Sequence, residues 1–167
     1  TFSQPDILKA ALTDLEAYYT HDCSCTSYYM PFLFYKGFHA LQTHRVAHHL
    51  WNTQQFNLAL HIQNLISKRF NVDIHPAAKI GHGTMFNHAT GIVIGETTQI
   101  GNNVSIMQGV TLGGTGKDHE DRHPKIEDNV LIGSGAKILG NIRIKQGAKI
   151  TSGSVVLSPV DSHAIVA

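Results

Sequence analysis

The sequence predicts an N-terminal α-helical region over residues 1–70, followed by a parallel β-solenoid of hexapeptide repeats over 71–167 with one long extruded loop at about 113–125. Three observations carry that reading. Upstream of Phe70, apolar residues recur at helical spacing; from Val72 onward they recur at every sixth position; and the six-residue series is interrupted twice, once by two residues and once by a long polar run.

In the helical region, Ile7, Leu8, Ala11, Leu12, Leu15 and Tyr18 outline one apolar face, with Ser3 or Pro5 near its start. HDCSCTSYYMP breaks the spacing and is expected as a loop. Phe34, Phe38, Leu41, Arg45, His48 and Trp51 restore it, and Phe56, Leu60 and Asn64 begin a further helix that fades near Phe70. Gly37 is the only glycine before Val72.

The solenoid rungs are Ile74, Ile80 and Phe86, then Ile94, Ile100, Ile106 and Leu112, then Ile126, Ile132, Ile138, Ile144, Ile150 and Val156. Four residues after each rung stands a small or β-branched residue, among them Ala78, Thr84, Thr90, Val104, Val130 and Ala136. Each hexapeptide supplies one short strand and one corner, and three close a triangular coil whose neighbours stack ~4.8 Å apart. Large rungs fill the interior and small residues pack at the corners. The run TLGGTGKDHEDRHPK is too long for one rung and must project. Polar loops on rigid scaffolds are where binding and catalytic groups concentrate.

The totals narrow the function classes. A formal charge of +1 gives no electrostatic footprint for nucleic acid or an anionic membrane. No apolar run approaches the ~20 residues of a membrane span, and TFSQPDILKA shows no signal-peptide pattern. Cys23 and Cys25, one residue apart, make no disulfide framework, so a reducing cytoplasm is the expected compartment. At 15% charged residues the chain is sparsely charged for a fully solvated monomer.

The blocks YKGFHALQTHRVAHHLWN, VDIHPAAKIGHGTMFNHATGIVIGET, GVTLGGTGKDHEDRHPKI and GAKILGNI are far more specific than the repeat. Through them the chain resembles the serine acetyltransferases, from about Asp22 to Val160. The resemblance implies a left-handed β-helix, transfer of an acetyl group from acetyl-CoA to L-serine as the first step of cysteine biosynthesis, no metal, and L-cysteine as inhibitor. It implies a homotrimer or a dimer of trimers. The sequence ends at AIVA, before the family's tail, so docking of O-acetylserine sulfhydrylase is not expected.

Residue by residue, the resemblance assigns His88 and Asp73 as the catalytic dyad. The chemistry agrees. A serine hydroxyl attacks only with a base in reach, and histidine, with an unperturbed pKa of ~6.5, is the side chain best poised for that task. A carboxylate partner fixes its tautomer. Asp73 precedes His88 by most of one coil, a spacing compatible with neighbouring layers. Arg122 and His123 match the family's carboxylate-binding pair, and a guanidinium grips a carboxylate with two hydrogen bonds. Asp22 matches the acidic residue at the substrate amine. Asn87 departs from the aspartate usual before the catalytic histidine, which removes a charge but keeps an acceptor. Gly113, Gly114 and Thr115 are expected near the thioester, and Ser134 and Ser152 along the coenzyme.

Two alternatives remain open at this level. One is a hexapeptide acetyltransferase for another acceptor, such as a sugar or an antibiotic. The other is a zinc hydratase of the β-helix carbonic anhydrase type, recruiting ligands from His82, His88, His119 and His123, or from His44 and His48 one helical turn apart.

Overall fold

Four helices precede fourteen short strands in the computed structural model, which describes residues 5–117 and 119–167. Ser3, one of the two expected helix starts, and Asp118 within the loop lie outside the described residues. The helices are α1 (Pro5–His21), α2 (Tyr29–Phe34), α3 (Lys36–Asn52) and α4 (Phe56–Phe70). The expected loop HDCSCTSYYMP is partly helical, because α2 begins inside it. Pro31 falls in the first turn of α2, where a backbone N–H has no intrahelical partner and proline costs little.

The strands are β1 (Val72–Ile74), β2 (Lys79–Ile80), β3 (Met85–Asn87), β4 (Ile92–Ile94), β5 (Gln99–Ile100), β6 (Ser105–Met107), β7 (Thr111–Gly113), β8 (Lys125–Ile126), β9 (Leu131–Ile132), β10 (Lys137–Leu139), β11 (Arg143–Ile144), β12 (Lys149–Ile150), β13 (Val155–Val156) and β14 (Ile165–Val166). They form three parallel sheets that face one another as the sides of a solenoid of about five turns. The first face is β1-β4-β7-β10-β13, the second β11-β8-β5-β2 and the third β14-β12-β9-β6-β3.

Register follows the rungs. Ile74 stands beside Ile94, Ile94 beside Leu112, Leu112 beside Ile138 and Ile138 beside Val156. The same stacking runs through Ile80, Ile100, Ile126 and Ile144 on the second face and through Phe86, Ile106, Ile132 and Ile150 on the third. Apart from the half-buried Ile80, every rung is buried, so the interior is a continuous apolar column. A one-residue slip would turn the whole column outward, which is why the register is sharply set.

Coil length varies where the sequence is interrupted. Val93 pairs with Thr111 and Lys125 with Arg143, eighteen residues on in each case. Val72 pairs with Ile92, a coil two residues longer, and Thr111 with Lys137, a coil eight residues longer. The two extra residues lie in the corner FNHATG. They change which residue turns inward: Ala89 is buried, whereas Thr90, expected as the small residue packed at the corner, is exposed.

The helices cover the open end of the solenoid. β1, β2 and β3 are end strands, each with one unpaired edge. The Tyr18 hydroxyl donates to the Phe86 carbonyl at 2.9 Å and accepts the Phe86 N–H at 3.0 Å. Asp14 accepts the Thr84 N–H at 3.0 Å and is bonded to the Arg45 guanidinium, which also donates to the carbonyls of Ile80 and Gly81. His44 and His48 donate to the carbonyls of Ala78 and Pro76. Gly37 lets α3 approach this closely, since a Cβ there would lie 2.1 Å from the Phe86 carbonyl oxygen.

Candidate active site

His88 follows β3 in the corner between the third and first faces. The extra residues make that corner unusual. His88 has φ +56° and Ala89 φ +63°, left-handed conformations that non-glycine residues adopt at a cost of ~1–3 kcal/mol each. Surrounding bonds hold the turn: Gly91 N–H to the Asn71 carbonyl at 2.7 Å, Gly109 N–H to the Thr90 carbonyl at 2.8 Å, and the Lys36 ammonium to the Thr90 hydroxyl. The imidazole stands exposed, with no hydrogen-bonded side-chain partner among the described residues.

Beside it lies a cavity of about 280 Å³ lined by Asp22, Lys36, Asn87 and His88, and closed behind by Tyr18 and Phe86. Three of the sequence-predicted residues therefore meet at one place. Asp22 is held at the end of α1 by the Ser24 backbone N–H at 2.9 Å and the Ser24 hydroxyl at 2.6 Å, both to Oδ1. Its Oδ2 has no hydrogen bond among the described residues. Lys36 and Tyr18 escape sequence reasoning: helical spacing explains Tyr18 as a packing residue, and nothing in the spacing marks Lys36.

The same corner continues down the solenoid as a ridge. The Gly135 N–H donates to the Gln108 carbonyl and the Gly153 N–H to the Ser134 carbonyl, each at 2.8 Å. Ser134 and Ser152 stack on successive coils with their hydroxyls 3.0 Å apart. His88, Ser134 and Ser152 thus mark one continuous edge.

Arg122 and His123 lie on a different edge, the corner between the first and second faces, where the long loop returns to the solenoid. There Arg122 pairs with Glu96 at 2.6 Å and also donates to the carbonyls of His119 and Glu120. The Arg122 hydrogen bond holds the Glu96 carboxyl below its usual range. His123 is buried against Gly95, where a Cβ would fall 2.1 Å from the ring. Burial, reinforced by the Arg122 charge, lowers the His123 pKa. His75, at the same corner, is also pushed down, first by burial, although the charges of Glu96 and Asp73 oppose the shift. Lys125 binds Asp121 at 2.5 Å and the carbonyls of Thr97 and His123 at 2.8 Å, closing the loop. At the loop's start, Gly114 lies against the backbone and stem of Arg122, and the Thr115 methyl lies against Gly140. Gly113 ends β7 and accepts the Gly140 N–H at 2.9 Å.

Asp73 sits between the two edges, on the first face beside Val93. Its Oδ1 accepts a 2.7 Å bond from Gln63 of α4, and no hydrogen bond joins it to His88 within the chain. A single chain therefore places the sequence-predicted residues in two groups on the edges flanking one face: Asp22, Asn87 and His88 on one edge, Arg122 and His123 with the Gly113–Thr115 segment on the other. Among the described residues, no three His, Cys, Asp or Glu side chains converge as a metal centre would require, and no helix is long and apolar enough to cross a membrane.

Known proteins show the same architecture. Residues 1–43 match the family model described as serine acetyltransferase, N-terminal, and residues 123–158 match bacterial transferase hexapeptide (six repeats). Over 165 residues the chain is 56% identical to serine acetyltransferases of Haemophilus influenzae and of Escherichia coli K12. It spans 99% of its own length but only 62% and 60% of theirs. A solved serine acetyltransferase in complex with cysteine superposes with a TM-score of 0.96 at 56% identity, covering 98% of this chain and 68% of that one. The Neisseria gonorrhoeae enzyme in complex with serine gives 0.95 at 52% identity, covering 98% and 67%, and a complex with CoA gives 0.93 at 55%, again 98% and 67%.

Proposed function

Because the chain belongs to the serine acetyltransferase family, we propose that it moves the acetyl group of acetyl-CoA onto the hydroxyl of L-serine, giving O-acetyl-L-serine and CoA. The observation that carries the reading is the cavity in which Asp22, Asn87 and His88 meet. His88 takes the proton from the serine hydroxyl as the oxygen attacks the thioester carbonyl. The tetrahedral intermediate then collapses, the C–S bond breaks, and the imidazolium returns its proton to the departing thiolate. Backbone N–H groups of Gly113–Thr115, on the Arg122 edge and so from the neighbouring copy, stabilise the oxyanion. Asp22 holds the serine ammonium, and Asn87 adds a neutral acceptor.

The remaining groups come from a second copy. A threefold assembly about the first face would set the His88 edge of one protomer against the Arg122 edge of the next, as a heterologous interface that closes into a ring. Arg122 and His123 then grip the serine carboxylate, and the neighbour's Asp73 orients His88. The coenzyme follows the edge from His88 past Ser134 and Ser152. L-Cysteine, bound by a close structural neighbour, fits the same groups as serine and competes with it. The enzyme works in a reducing cytoplasm, with Cys23 and Cys25 as free thiols.

The test is thiol release from acetyl-CoA with L-serine, compared with sugar acceptors, in chelator-treated protein. Release with serine supports the reading. Release with a sugar and not with serine, or activity lost with the metal, overturns it.

A further inference from the structure

Resting on the reading that Arg122 and His123 hold the acceptor carboxylate, we propose that Thr97 is a positioning residue that holds the His123 imidazole in its Nε2–H tautomer, so that the ring offers a fixed donor to that carboxylate.

The hydrogen bonds at Thr97 leave little freedom. Its Oγ1 accepts the backbone N–H of Arg122 and that of His123, each at 3.1 Å. Both lone pairs are then used, and the single hydroxyl proton faces two acceptors, His123 Nδ1 at 2.9 Å and the Asp121 carboxylate. The Thr97 backbone N–H also points at Nδ1, at 3.2 Å. The backbone N–H can only donate, so Nδ1 must carry the lone pair and the proton must sit on Nε2, and the hydroxyl adds a second donor beside it. The opposite tautomer would set N–H against N–H and leave a Thr97 donor unpaired.

The opposite edge of the ring is shaped to match. Gly95 carries no side chain where a Cβ would fall 2.1 Å from both Nε2 and Cδ2, so the ring lies flat on the backbone of the preceding coil. The ring's hydrogen bonds are both at Nδ1, and none is made by Nε2 among the described residues. Burial lowers the ring's pKa and so favours its neutral form, which donates from one nitrogen only, and the choice of nitrogen matters. Thr97 thus fixes, with one side chain, the backbone of the carboxylate-binding pair and the direction of one of its donors. The alternation of the repeat gave no hint of this, since Thr97 reads as an ordinary corner residue between Ile94 and Ile100.

The experiment uses the whole chain and the variants T97V, which removes the hydroxyl at constant shape, and T97S, which keeps it. Two-bond proton–nitrogen NMR correlations of the imidazoles report the tautomer, with the His123 signals assigned by their loss in H123N. The wild type and T97S are expected to show His123 as the pure Nε2–H form, and T97V a mixture. In steady-state assays T97V is expected to raise the KM for L-serine about tenfold, the scale of one hydrogen bond to a charged group, while kcat and the KM for acetyl-CoA change by less than about twofold. T97S restores the serine KM. A mixed or Nδ1–H tautomer in the wild type overturns the proposal even if T97V does not fold. So does an unchanged serine KM in a folded T97V. Absence of any serine-dependent thiol release would instead sink the proposed function and leave the tautomer result readable.

Discussion

At the residue scale, the departure that matters most is Asn87. It lines the cavity together with Asp22 and His88, so under the proposed function the amine end of the acceptor would meet one carboxylate and one amide. A second carboxylate would add ~1–4 kcal/mol of attraction at contact, according to the local dielectric. N87D should therefore lower the KM for L-serine by about fivefold or more at unchanged acetyl-CoA KM; steady-state kinetics checks this, and an unaltered constant would place residue 87 away from the amine. His88 carries a heavier prediction. H88A should lose about 10²–10⁴ in kcat, the range for a removed general base, with the fold intact by circular dichroism. Both residues were legible in the sequence, since FNHATG interrupts the repeat and matches a known block. Their supports were not. Lys36 and Gln63 come from helices, and nothing in their spacing marks them as partners of the corner or of Asp73, while Ser24 meets Asp22 in a local turn two residues on.

At the scale of elements, α3 does two jobs. It covers the unpaired edges of the first coil, and through Gly37 and Lys36 it braces the strand and corner that bear His88. G37A places a methyl group 2.1 Å from a backbone oxygen that cannot move alone. The expected cost is ~1–3 kcal/mol, as for overpacking, seen as a lower thermal midpoint, with activity falling as β3 shifts. His44, on the same helix, is fully buried and its pKa is lowered to about 3, chiefly by burial. The sign follows directly. The unfolded chain binds this proton near pH 6.5 and the folded chain only near pH 3, so the unfolded state holds more protons in between. The contribution is fully present above pH 6.5 and is lost as pH falls toward 3. H44L should flatten the acid slope of unfolding free energy by up to about 1.4 kcal/mol per pH unit; an unchanged slope in denaturant titrations at several pH values would show that another group dominates. The helices themselves were readable from apolar spacing. α2 was hidden because its proline and the preceding polar cluster read as a break, although a first-turn proline is compatible with a helix.

At the scale of the molecule, the six-residue period was the most legible feature, because each rung repeats the same burial demand and the strands have no alternative register. The period could not reveal which edge each functional group occupies. Asp73 and His88 belong to the same coil, fifteen residues apart, yet Asp73 is bonded to Gln63 and lies on the face between the two edges. Arg122 and His123 return on the far edge, because the loop leaves and rejoins the solenoid at the corner after β7. Spacing along a solenoid fixes height and leaves open the question of what a neighbouring solenoid contributes. The two groups of sequence-predicted residues in one chain flank a single face, and the central claim is that a second copy closes them into one site.

The most direct test is complementation between inactive chains. H88A and R122A chains, carrying different tags, are co-expressed, and mixed oligomers are purified through both tags. In a ring where each site takes His88 from one protomer and Arg122 from the next, every mixed trimer keeps one site with both residues intact. The account predicts that serine-dependent thiol release, absent from either variant alone, returns in the doubly tagged fraction. A doubly tagged oligomer that forms normally and stays as inactive as its parents would contradict it.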